Sequence, residues 1–212
     1  MNPVYNPTDN SDLCTSCKSL MTAQETSSPD AAASSVSCKY PDRQSLPGSA
    51  DRNAPAISSA LEPLLSQLPK NSKILELAAG HGVLTAQMAA AWPSLRFSAS
   101  EADDGLVEAI RQRCQGLVNV EMIQRLEFSS AQEWEQLQEQ GPFDLIIVAN
   151  VLHIVPWLTI EDLFSEIAPD RVLNGAGGKV CIYGAFNEGG KFTSEGNEKA
   201  SGRGTRELPN FS

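Results

Sequence analysis

A chain of 212 residues is long enough for one domain with a sizeable core plus some extra chain, and too short for a second full domain. Its 26 acidic and 16 basic side chains give a formal charge of -10, a sign that repels a phosphate backbone, and no basic patch offsets it, so nucleic acid is not an expected partner. No apolar run is long enough for a membrane span, and the opening MNPVYNPTDNSDLC has neither the charged nor the apolar region of an export signal. The expectation is a cytoplasmic protein with no membrane partner.

Residues 1–50 are rich in Ser, Thr, Pro, Asn and Asp, as in TAQETSSPDAAASSVSCKYPDRQSLPGSA, and space their few apolar residues at no regular period. Such a segment buries too little apolar surface to offset the entropy of ordering it, and it reads as a disordered tail. Cys14 and Cys17 form the only C-x-x-C; neither a second pair nor a spaced histidine pair completes a four-ligand zinc site, so no metal is expected. Five cysteines, an odd number without an export signal, point to free thiols in a reducing compartment.

The composition changes at Asp51, which opens a domain over 51–212. APAISSALEPLLSQL places Ile57, Leu61, Leu64, Leu65 and Leu68 on one helical face. Strands and helices then alternate: strand SKILELA, helix TAQMAAAW, strand LRFSASE, helix DGLVEAIRQRC, strand VEMIQRLEF, helix SAQEWEQLQEQ, strand FDLIIVANVLH, helix IEDLFSEIAPDRVL and strand AGGKVCIYGAF. The run LIIVA suits a central parallel strand buried on both faces. A repeated β-α pattern with a glycine turn straight after the first strand predicts the α/β class, with a doubly wound Rossmann-like sheet.

In such a sheet the ligand lies beyond the carboxyl ends of the strands, and the turn LELAAGHG borders that crevice. Gly80 and Gly82 let the backbone turn tightly and approach a ligand. A phosphate loop of the Walker type is excluded, because GGKV and GGKF follow their lysines with Val and Phe where Ser or Thr must hold magnesium. A dinucleotide fingerprint lacks its third glycine, where Thr85 stands, and leaves an NAD-binding oxidoreductase as a weak reading. His81 has no partner ligands and is incidental to the turn.

Glu76, four positions before Gly80, makes LELAAGHG resemble the E/D-x-G-x-G-x-G loop of class I S-adenosylmethionine-dependent methyltransferases, with Ala78 in place of the first glycine. The resemblance implies that the turn takes the amino acid end of S-adenosyl-L-methionine, where an acid suits a cation and disfavours a phosphate. Glu101, ending the second strand, is the candidate acceptor for both ribose hydroxyls. Glu127, at the end of the third strand, has the place from which such enzymes contact adenine, and Asn150 completes the set at the fourth. Each acid alone also reads as a solvated strand end.

DRNAPAI (51–57), NVLHIVPW (150–157), YGAF (183–186) and GGKFTSEGN (189–197) narrow the match. With the glycine turn they resemble the methyltransferase-like 26 family, the domain-of-unknown-function group numbered 938. The resemblance implies a methyltransferase fold and leaves the acceptor, a small molecule or a protein, unspecified. His153 is then a candidate general base and Trp157 a candidate wall of the acceptor pocket, against a loop-bonding histidine and a packed indole. Tyr183 is a second proton acceptor or a packed aromatic. Arg52 and Asn53, placed just before the first helix, are candidates to cover the cofactor carboxylate, with a helix cap as the alternative for Asn53. A noncatalytic Rossmann-fold scaffold remains the competing class.

Class I methyltransferases normally follow the fifth strand with a helix and an antiparallel strand pair. EKASGRGTRELPNFS has no apolar run for those strands, and the family's FD-x-x-LR is missing. The expectation is a C-terminally truncated domain lacking the last two strands, its fifth strand a bare edge prone to poor solubility.

Overall fold

The computed structural model describes residues 48–189, 191 and 192. The expected tail lies outside them up to residue 47, together with Cys14 and Cys17. Helix α1 (Ser49–Leu65) starts after Gly48, which takes a left-handed conformation with φ 72° and accepts the Arg52 N–H at 3.2 Å. Arg52 and Asn53 are therefore inside α1 and not ahead of it, and Asn53 is not its cap. Ala54, Ile57, Leu61 and Leu65, spaced three and four apart, form its buried stripe.

The remaining elements are β1 (Lys73–Leu77), α2 (Val83–Ala91), β2 (Arg96–Glu101), α3 (Asp104–Arg113), β3 (Val120–Arg125), α4 (Ala131–Gln140), β4 (Leu145–Ala149), α5 (Trp157–Glu166) and β5 (Lys179–Tyr183). The five strands form one parallel sheet in the order β3-β2-β1-β4-β5. The chain moves outward from β1 to β3, then returns to the other side of β1 for β4. That reversal opens a crevice at the carboxyl ends of β1 and β4.

Strand alternation sorts the core into two layers. Ile74, Phe97, Leu145 and Ile147 face one way and pack with Ala54, Ile57, Leu84 and Met88 of α1 and α2, while Ala99 meets Ile110 of α3. Leu75, Leu77, Ile146 and Val148 face the other way, beneath Trp134 and Leu137 of α4 and Leu163 of α5. Helices on both faces explain why β1 and β4 read as nearly unbroken apolar runs.

Several boundaries differ from the periodicity, among them the helix expected over IEDLFSEIAPDRVL, which runs Trp157–Glu166. β3 stops at Arg125, because Leu126 and Phe128 turn into the core and Trp134 Nε1 donates to the Phe128 carbonyl at 2.9 Å. β4 stops at Ala149, because Asn150 takes φ 59°. Beyond β5, two short strands, β6 (Asn187–Glu188) and β7 (Lys191–Phe192), pair antiparallel in a hairpin separate from the main sheet. Among the described residues the parallel sheet ends at β5, whose central residues Val180, Cys181 and Ile182 are half-buried.

The turn after β1 concentrates left-handed backbone: Ala78, Gly80 and Gly82 have φ of 51°, 56° and 70°. Ala78 thus occupies a conformation that asks for glycine. A Cβ on Gly80 would meet open space, whereas one on Gly82 would stand 2.9 Å from Ile110 Cγ2 and 3.3 Å from its Cα. Ala78→Gly is expected to stabilise the protein by about 0.5–1 kcal/mol, because relief of left-handed strain exceeds the added chain entropy. Gly82→Ala is expected to cost about 2–4 kcal/mol, as strain and overpacking against Ile110 add. Urea unfolding of the two variants measures both.

Candidate functional site

The glycine turn is braced from both neighbours before any ligand is considered. The Ala79 N–H donates to the Ser100 carbonyl at 2.9 Å and the Gly82 N–H to the Ala79 carbonyl at 2.9 Å. From α3, Arg113 Nε donates to the His81 carbonyl at 2.7 Å. His81 itself is exposed, so the turn uses its backbone and not its imidazole. Among the described residues no three His, Cys, Asp or Glu side chains converge as metal ligands.

Gly82 is the N-cap of α2 and has no side chain to satisfy that helix's first N–H groups. Glu76 takes over the task from the neighbouring strand. Its carboxylate accepts the Thr85 hydroxyl, and the Thr85 backbone N–H also points to it. Glu76 is 5% exposed and Thr85 0%. Burial pushes the Glu76 pKa up to about 7; the Thr85 bonds pull it down, and the nearby Glu101 charge adds a further upward push. Thr85, the residue that breaks the dinucleotide fingerprint, is the partner that Glu76 requires.

Glu101 closes the turn from the other side. Its Oε2 accepts the Gly80 N–H at 2.8 Å and its Oε1 the Ala102 N–H at 2.7 Å. Burial raises its pKa, against the stabilising N–H groups of Gly80, Ala102 and Asp103. Each carboxylate oxygen accepts more than one hydrogen bond, so these contacts do not exhaust the group. Among the described residues neither Glu76 nor Glu101 forms an ion pair. The sheet therefore brings Glu76, Ala78, Gly80, Gly82 and Glu101 into one turn with two carboxyl groups beneath it.

Beside this turn, Glu101 and Arg125 are register partners on β2 and β3, so Glu127 follows two residues beyond. Arg125 lies 3.9 Å from the Glu127 carboxylate and 3.7 Å from Asp104 at the start of α3, and it pairs with Glu133 of α4. The Glu127 N–H donates to the same Glu133 carboxylate. Sequence reading missed Arg125 and Glu133. The available signal was the S-x-x-E spacing of Ser130 and Glu133, which marks a helix start.

On the other flank, the Asn150 N–H donates to the Tyr183 carbonyl at 2.7 Å, tying the end of β4 to the end of β5. A methyl group placed on Gly184 would lie 3.8 Å from His153 Nδ1 and 3.8 Å from the Phe186 ring, so these three residues meet just past Tyr183. His153 is exposed overall, yet partial burial of its imidazole lowers its pKa and favours the neutral ring. Tyr183 and Phe186 are 37% and 47% exposed. Trp157 opens α5, half-buried, and its Nε1 donates to Glu161 one turn on at 2.7 Å. Phe186 is an aromatic neighbour that the sequence did not single out. Arg52, exposed, and Asn53, half-buried, sit in the opening turns of α1.

The family model described as "protein of unknown function (DUF938)" matches residues 44–201. Among solved structures, the chain is similar to a candidate O-methyltransferase from Nostoc punctiforme, with a TM-score of 0.56 and 17% identity over 72% of this chain and 42% of that one. It is also similar to the CurJ carbon methyltransferase, with a TM-score of 0.50 and 19% identity over 64% of this chain and 35% of that one. This chain thus spans less than half the length of either structure, and at these identities the likeness is one of fold. With the parallel sheet and its turn in place and the family model covering most of the sequence, the chain belongs to the DUF938 family, built on the Rossmann-like fold of class I methyltransferases.

Proposed function

We propose that the protein is an S-adenosylmethionine-dependent methyltransferase acting on a small-molecule or protein acceptor. The observation that carries this reading is the pair of carboxyls beside Gly80, Glu76 buried and Glu101 half-buried, with no ion-pair partner among the described residues. Two acids in that place repel a pyrophosphate and favour a cation. The amino acid end of S-adenosylmethionine carries an ammonium, and its nucleoside carries the two ribose hydroxyls that a carboxylate accepts. Neutral Glu76 becomes a better partner as it ionises, so a bound cation lowers its pKa.

In this assignment Glu76, Ala78, Gly80 and Gly82 hold the amino acid end, Glu101 the ribose and Glu127 the adenine edge. Arg52 and Asn53 cover the cofactor carboxylate from α1, and Asn150 completes the cofactor contacts at the end of β4. The cofactor, when bound, supplies a methyl group on a sulfonium, which is already a good leaving group. The chain's own work is to align an acceptor atom with that methyl and to exclude water. His153, held neutral, takes the acceptor proton; Tyr183 is the second group able to do so, and Trp157 forms a wall. No helix among the described residues is long and apolar enough to cross a membrane, and a cytoplasmic location suits a nucleotide-derived cofactor.

Titration calorimetry of the full chain with S-adenosylhomocysteine is expected to show saturable binding; no heat at high micromolar folded protein overturns the assignment. Glu101→Ala is expected to weaken that affinity about 10–100-fold, the value of charge-assisted hydrogen bonds to hydroxyls. An unchanged affinity removes the ribose role.

Binding also has a proton signature. Glu76 is about half ionised near pH 7, and the ligand ammonium favours its charged form, so binding releases protons and tightens as pH rises from 6 to 8. Calorimetry in two buffers of different ionisation enthalpy reads the release. Glu76→Gln is expected to abolish it, and a release that persists in that variant assigns the proton elsewhere.

A further inference from the structure

Glu133 has the sequence position of a helix-capping residue and the contacts of something else. It stands three residues after Ser130, the N-cap of α4, whose hydroxyl accepts the Glu133 N–H at 3.4 Å. In the usual reciprocal arrangement the acid at this position reaches back to the N-cap N–H. Here the Ser130 N–H is already taken by the Glu127 carbonyl at 2.8 Å. The Glu133 carboxylate is diverted instead to the Glu127 N–H and to the Arg125 guanidinium. Glu127 is therefore held at its N–H by Glu133 and at its carbonyl by Ser130, while Arg125 lies 3.9 Å from its carboxylate.

We infer that Glu133 is a positioning residue that aims Glu127 at the adenine edge of the cofactor, an inference that rests on the cofactor reading above. Three features favour aiming over simple support. The turn's apolar anchoring belongs to the next residue: Trp134 donates to the Phe128 carbonyl at 2.9 Å and stacks on its ring with centroids 5.8 Å apart. Glu133, with a side chain 17% exposed, spends its two carboxylate oxygens on polar partners, the Arg125 guanidinium and the Glu127 N–H. Arg125, which Glu133 engages, also reaches Asp104 at the start of α3, so one charge cluster links the turns after β2 and β3 between which a nucleoside would lie.

A carboxylate only accepts hydrogen bonds, so an aimed Glu127 prefers adenine, whose exocyclic amine donates, over hypoxanthine, which presents a carbonyl oxygen there. The test compares the affinities of the full chain for S-adenosylhomocysteine and S-inosylhomocysteine, with thermal melting as the check of folding. Wild type is expected to prefer the adenosyl compound by tenfold or more. Glu133→Ala is expected to cut that ratio at least fivefold. Glu133→Gln, whose amide oxygen still accepts the Glu127 N–H, is expected to recover most of it. In a Glu127→Ala background the further loss of Glu133 is expected to change the ratio by less than twofold, since the effect runs through Glu127. A wild-type ratio in Glu133→Ala, or equal effects in both backgrounds, overturns the positioning role while leaving the cofactor reading intact. Failure of wild type to bind either compound overturns the cofactor reading, and this inference with it.

Discussion

The bond between Glu76 and Thr85 decides how the rest of the site is built. The turn after β1 must place glycine at position 82, because α3 approaches so closely that a Cβ there would clash with Ile110. Glycine cannot cap a helix with a side chain, so the first turn of α2 needs a donor-accepting group from elsewhere. Glu76 provides it from inside the sheet. Ionised, that carboxylate costs on the order of 3 kcal/mol in the buried setting, the equivalent of its displacement from 4.5 to about 7. The protein thus keeps beside its glycine turn an acid that burial penalises and a nearby cation would relieve.

The same turn shows what was legible in the sequence. Alternating apolar runs gave the element order because strand and helix periods are local properties, and the sheet's five strands follow that order. Glu76, Gly80 and Glu101 could be picked out because each sits at a strand end or a turn. Thr85 was read only as a missing glycine, since its bond to Glu76 joins a strand to a helix and leaves no periodic trace. Arg125 and Glu133 were hidden for a related reason. The S-x-x-E spacing predicts a local reciprocal cap, and only the tertiary path of the Leu126–Ser130 turn sends the carboxylate back to Glu127. The start of α1 ahead of Asp51 was equally invisible, because it depends on the left-handed backbone of Gly48 and not on an apolar residue.

The two flanks of the crevice differ in how they are held. On the side of β2 and β3, backbone N–H groups and paired charges fix the acids: Glu101 through Gly80 and Ala102, Glu127 through Glu133 and Arg125. On the side of β4 and β5, one backbone bond from Asn150 to Tyr183 joins the strand ends, and His153, Tyr183 and Phe186 stand partly exposed beyond it. Fixed acceptors suit a ligand whose hydroxyls and amine are invariant. Partly exposed aromatic groups suit an acceptor for which shape counts more than hydrogen bonding.

This division also explains why the glycine turn alone could not identify a ligand. Gly80 and Gly82 supply backbone curvature, and curvature is compatible with a phosphate, a carboxylate or an amine. In the proposed assignment charge makes the selection, and it comes from residues outside the glycines: Glu76 one strand residue before the turn's bend, and Glu101 across the β1–β2 pair. Because both acids also accept backbone N–H groups, Glu76 from Thr85 and Glu101 from Gly80 and Ala102, a residue without an acceptor oxygen at either position loosens the loop itself. Structural support and, in the proposed assignment, ligand selectivity are therefore carried by the same two side chains, and a substitution at either has to be read through affinity and folding together.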